Sequence, residues 1–105
     1  MKKLILAVVL AVSPVLAMAD PVCDDMSEHA EVVMRAHQSG VSMKEVMAVI
    51  DKNLESGTVM SDIYKSLVID AYSQPRYHTD ASKAREIADF RDGVHVLCLK
   101  SRKGK

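Results

Sequence analysis

Two cysteines, Cys23 and Cys98, stand 75 positions apart in a chain of 105 residues. A lone early cysteine can serve as a lipid anchor, a redox centre, a metal ligand or half of a disulfide. Thioredoxin-type redox chemistry wants C-x-x-C, and that motif is absent. A structural zinc site needs four ligands, commonly in paired spacings. His95 and Cys98 are three apart on one helical face, but no motif adds His29, His37 or His78 to them. Met43 and Met47 lie one helical turn apart and carry the thioethers that suit copper(I), although core filling is the commoner use of methionine. No metal and no cofactor is expected. Acid–base catalysis asks for two carboxylates held together with shifted pKa values. Asp62 and Asp70 instead fall on the outward side of their helix, and no serine sits in a nucleophile-elbow context. The chain therefore reads as non-enzymatic.

The stretch AYSQPRYHTD, Ala71 to Asp80, offers a different kind of chemistry. It gathers Tyr72, Arg76, Tyr77 and His78 around a proline turn. Tyrosine and arginine are enriched at interface hot spots, so these four residues form the candidate partner-binding site. The plainer alternative is an ordinary turn with Tyr72 in the core and Tyr77 packed over its edge.

The location of the protein decides what the cysteines do. Met1-Lys2-Lys3 precedes an apolar run from Leu4 to Val12, and Ala17-Met18-Ala19 follows. A positive start, a short apolar region and a small-x-small site are the three parts of a secretory signal peptide. The apolar stretch is too short to span a bilayer, which takes about twenty residues. Cleavage after Ala19 leaves Cys23 at the fourth mature position, which disfavours lipidation. The expected product is soluble and periplasmic, and there two cysteines usually pair. A Cys23–Cys98 disulfide would close almost the whole domain into one loop.

Removing residues 1–19 from the 105 leaves 86, the size of a single domain. The full chain has 14 basic and 14 acidic residues. Loss of Lys2 and Lys3 leaves 12 basic residues against 14 acidic, so nothing in the charge points to nucleic acid. The division is a signal peptide at 1–19, a helical domain at 20–99 and a basic tail at 100–105. Lys100, Arg102, Lys103 and Lys105 give that tail at most a weak contact with an anionic membrane surface.

Apolar spacing makes the domain all-α. Gly40, Gly57 and Pro75 divide it into four helical segments, and Gly93 falls inside the last. Cys23, Met26, Ala30, Val33, Met34 and His37 share one stripe of the first. In the second, Ser42 and Glu45 form a capping box, Val41 and Val46 a hydrophobic staple. Met43, Val46, Met47, Ile50 and Leu54 line its face. Met60, Ile63, Tyr64, Leu67, Val68, Ala71 and Tyr72 line the third. The fourth begins at Thr79 or Asp80, with Ala84, Ile87, Phe90, Val94, Leu97 and Cys98 as its buried stripe. Val94 to Leu99 also reads as a short strand, but it has no partner strand, which favours helix. The expectation is a compact bundle of about four short helices closed by one disulfide.

The early cysteine, VVMRAHQSGVSMKEVM, VIDAYSQPRY and ADFRDGVHVLC together resemble a set of small exported single-disulfide helical proteins of proteobacteria and their phages. The layout is also similar to acid-stress chaperones and to phage proteins that inhibit an envelope target, and no residue is carried over from either. The functional expectation is a periplasmic protein that binds and modulates an envelope protein partner. The alternative is a periplasmic acid-stress chaperone.

Overall fold

The computed structural model describes residues 20–103. The signal-peptide reading of residues 1–19, and the last two residues of the basic tail, lie outside them. The described chain forms four helices in the order α1 (Pro21–Gln38), α2 (Met43–Asn53), α3 (Val59–Tyr72) and α4 (Asp80–Lys103). The all-α bundle read from the sequence is what the chain adopts. Val94 to Leu99 is helical, and α4 runs on through Lys100 and Arg102 to Lys103.

Each helix starts where a side chain can take the orphan backbone N–H groups of its first turn. The Asp20 carboxylate accepts from the N–H groups of Val22 and Cys23, with Pro21 at the first helical position. Ser42 Oγ accepts from Glu45 N–H at 3.1 Å, Thr58 Oγ1 from Ser61 N–H at 3.1 Å, and Thr79 Oγ1 from Ser82 N–H at 3.1 Å. Of the two capping candidates for α4, Thr79 is therefore the cap. Helix α1 ends in a Schellman turn. Gly40 N–H donates to His37 O and Val41 N–H to Ala36 O, with Gly40 at φ +92°.

Helix α1 is the hub of the bundle. It packs most extensively on α4 and then on α3, while α2 leans chiefly on α3. Helices α3 and α4 meet each other only marginally. Val33 and Met34 of α1 join Ile50, Val68, Ala71 and Ile87 in the main core cluster. Ala30, Leu67 and Val94 form a second cluster nearer the disulfide, with Met26, Tyr64 and Phe90 packed against it.

Cys23 and Cys98 form the disulfide, with Cα atoms 5.5 Å apart. It ties the first turn of α1 to the penultimate turn of α4. An ion pair between Asp20 and Arg102 lies one turn further out on the same seam. Burial opposes ionisation of Asp20, but Arg102 and the N–H groups of Val22 and Cys23 outweigh it and hold the carboxyl below its ordinary value. Midway along the helices, Glu31 accepts from both Arg35 and Arg91, a second link between α1 and α4.

The expected stripe of α1 is realised, with Met26 half-buried and the other five residues buried. That of α4 needs correction. Ala84 and Leu97 are exposed, not buried. A helix enclosed by two close neighbours buries a wide stripe, whereas α4 packs closely on α1 and only loosely on α3. Only Ile87, Val94 and Cys98, at the narrower heptad-like spacing, reach full burial. Met60 and Met43 are likewise exposed, because each sits in the first turn of its helix beyond the edge of the packed layer.

Candidate functional site

The turn from Ser73 to Thr79 follows the end of α3 and leads into α4. The terminus of α1 holds it in place. Gln38, only 1% exposed, is the central residue. Its Nε2 donates to Pro75 O at 2.9 Å and its Oε1 accepts from Tyr77 N–H at 2.9 Å. The amide thus spans the turn much as a neighbouring strand would, satisfying one acceptor and one donor. The preceding residue adds a third tie, with His37 Nε2 2.7 Å from Gln74 O. Lys83 of α4 closes the set by donating to the main-chain carbonyl of Gln38 at 3.0 Å. That carbonyl is one of the orphan acceptors at the end of α1.

The four residues singled out in the sequence divide into two groups. Tyr72 is half-buried and committed to the scaffold. Its hydroxyl donates to Val41 O at 2.6 Å, and its ring tilts against His37 with centroids 4.3 Å apart. Burial and the nearby Glu45 carboxylate push the Tyr72 phenol up, against a smaller opposing effect of Arg76. Arg76, Tyr77 and His78 are exposed and adjacent. Tyr77 is bound by its backbone N–H, is 36% exposed as a residue, and borders a groove with Ser82, Arg85, Glu86 and Asp89 of α4. The Arg76 guanidinium lies against Gly40. A Cβ there would stand 3.1 Å from Nη2, and the positive φ already strains any other residue.

The sequence reading missed Gln38 and His37 as the latch. Both are polar residues on the buried side of α1, and Gln38 stands two positions before the helix-ending Gly40, a local pattern that does not name its partners. A buried amide must find partners, and here it finds the turn.

Two apolar grooves flank the core. One, of about 360 Å³, runs beside the disulfide between α3 and α4, with Met26, Ile63, Leu67, Val94 and Leu97 on its walls and Asp70 and Arg102 on its rim. The other, of about 260 Å³, lies between α1 and α2 and is lined by Val32, Val33, Val46, Val49 and Ile50. His29 reaches this second groove. Its ring stacks on Tyr64 at 4.0 Å between centroids and 15° between planes. Nε2 of His29 is buried without a hydrogen-bond partner, and burial pushes the imidazole below its ordinary pKa.

The other candidate ligands are dispersed. His95 lies 3.7 Å from Asp24, and Cys98 is consumed by the disulfide. Met47 packs against the main core while Met43 faces outward. Among the described residues no three His, Cys, Asp or Glu side chains cluster as metal ligands. Asp62 and Asp70 are exposed. No protein-family model matches the chain, and no curated protein or solved structure is significantly similar to it.

Proposed function

We propose that residues 1–19 are a signal peptide removed on export, and that the mature chain is a non-enzymatic periplasmic protein that binds and modulates an envelope protein partner. The contact is made by the turn that follows Tyr72, with Arg76, Tyr77 and His78 as the touching side chains. One observation carries this reading: the turn's backbone is fixed by Gln38 and His37, while those three side chains remain exposed. A loop already held in place loses little freedom on binding, so more of its contact energy appears as affinity. Tyrosine and arginine are the side chains that most often dominate such contacts. The Cys23–Cys98 disulfide suits an oxidising compartment.

The test is capture from a periplasmic extract by the oxidised chain 20–105 and by its Arg76→Ala/Tyr77→Ala variant. Neither side chain supplies the latch, so the variant keeps its fold. A stoichiometric partner held by the parent and released by the variant is the expected result. Equal capture by a well-folded variant overturns the assignment.

A second reading, an acid-activated chaperone, draws support from His29. Charging its half-buried imidazole, whose Nε2 is buried and unpartnered between α1 and α3, would loosen the seam beside the apolar α1–α2 groove. Its sign is suppression of client aggregation that appears only at acidic pH. Equal failure at neutral and acidic pH removes it.

A further inference from the structure

Between Val94 and Leu99 only His95 interrupts a run of apolar residues that goes round α4. Val94 and Cys98 are buried on the α1 side, whereas Val96, Leu97 and Leu99 are 49%, 68% and 41% exposed. A helix that is apolar on every side is normally covered on every side. Here no other described element covers the outer face.

That face also carries a charge gradient. At 3.6 residues per turn, Asp89, Gly93, Val96 and Lys100 fall on one stripe, with the alternating four- and three-residue spacing of a two-helix seam. Its N-terminal end is acidic and its C-terminal end basic. All four residues are exposed, and among the described residues neither Asp89 nor Lys100 takes part in an ion pair. At the centre stands Gly93, which weakens a helix relative to alanine. A Cβ at Gly93 would meet nothing within 4 Å, so packing within the chain does not call for a glycine there.

We propose that this face of α4 pairs antiparallel with the same face of a second copy of the chain. A two-fold axis through the middle of the stripe sets Asp89 of each copy opposite Lys100 of the other. It also sets Gly93 of each copy opposite Val96 of the other. The glycine lets the two backbones approach, and Val96 fills the space it leaves. Leu97, which borders the groove beside the disulfide, extends the contact toward α3. Such a contact is isologous and closes on itself. Parallel pairing would instead set like charges against each other, so the gradient selects the antiparallel arrangement. Asp89 borders the groove that Tyr77 lines, so each Ser73–Thr79 turn lies beside one end of the paired stripe.

Sedimentation velocity of the oxidised chain 20–105, which holds all four helices and the disulfide, tests this directly. The expected behaviour is a monomer–dimer equilibrium that shifts with concentration in the micromolar range. Val96→Asp weakens association about tenfold or more, as loss of a central interface residue does, while helical circular dichroism stays unchanged. Asp89→Lys places lysine opposite lysine and also weakens the dimer. Asp89→Lys/Lys100→Asp recreates both pairs and restores it. A monomer at every concentration up to the millimolar range overturns the proposal. So does a dimer indifferent to Val96→Asp, or a double charge reversal as weak as the single one.

Discussion

Tyr77 and Gln38 are 39 positions apart in the chain and are joined by a 2.9 Å hydrogen bond from the Tyr77 N–H to the side-chain oxygen of Gln38. The other end of the same amide holds Pro75 O. One buried side chain thus fixes the conformation of the turn that carries Arg76, Tyr77 and His78.

Gln38→Ala strands the Pro75 carbonyl and the Tyr77 N–H together. An unsatisfied, partly buried group costs about 1–3 kcal/mol, so a loss of about 2 kcal/mol is expected in urea denaturation. Amide exchange at Tyr77 accelerates in step. Gln38→Glu is more specific. A carboxylate still accepts from Tyr77 N–H but faces Pro75 O with no proton to give. Its pKa is therefore raised, and the variant regains stability as the pH falls through that raised value. The Gln38→Ala variant shows no such recovery.

Cys23→Ala/Cys98→Ala removes the closure of a 75-residue separation. The chain-entropy model puts the loss near 4 kcal/mol. That is comparable with the whole stability of a domain this small. Urea denaturation with and without reductant measures the loss on the parent chain, and the double variant is expected to be insensitive to reductant.

His29 sets part of the pH dependence. Burial holds its folded-state pKa below the ordinary value of 6.5. The unfolded chain therefore binds more protons than the folded one between those two values. The contribution is fully present above pH 6.5 and is lost as the pH falls through the lowered folded-state value. His29→Phe keeps a ring against Tyr64 and removes the titration. Between pH 7 and pH 4, Tm of the parent is expected to fall more than Tm of this variant.

Gly93→Ala adds a methyl group where nothing lies within 4 Å and where the backbone is helical. It is expected to raise the unfolding free energy of the monomer by about 1 kcal/mol, the difference in helix propensity. Denaturant titration at a concentration below dimer formation reads this effect alone.

The elements were legible in the sequence because their punctuation is strong. Ser42 and Thr58 cap the helices expected to begin there, and Gly40 and Gly57 take the positive φ that a helix end or turn requires. The Cys23–Cys98 pairing followed from an expected oxidising compartment and from the presence of two cysteines. What periodicity left open was the number of neighbours each helix has. Ala84 and Leu97 fit an amphipathic stripe, yet α4 meets little besides α1, and that stripe narrows to the residues that touch it. The candidate turn was visible as a cluster of residue types. Its latch was not, because Gln38 reaches the turn through contacts nearly forty residues apart that no local pattern encodes.

The most direct test of the central claim is photo-crosslinking in the periplasm. A photoreactive phenylalanine analogue is placed at Tyr77 and, as a control, at the exposed Lys52 on α2. The account predicts one dominant envelope-protein adduct from position 77, absent from position 52 and lost when Arg76→Ala is added. No adduct from position 77, or the same adducts from both positions, would contradict it.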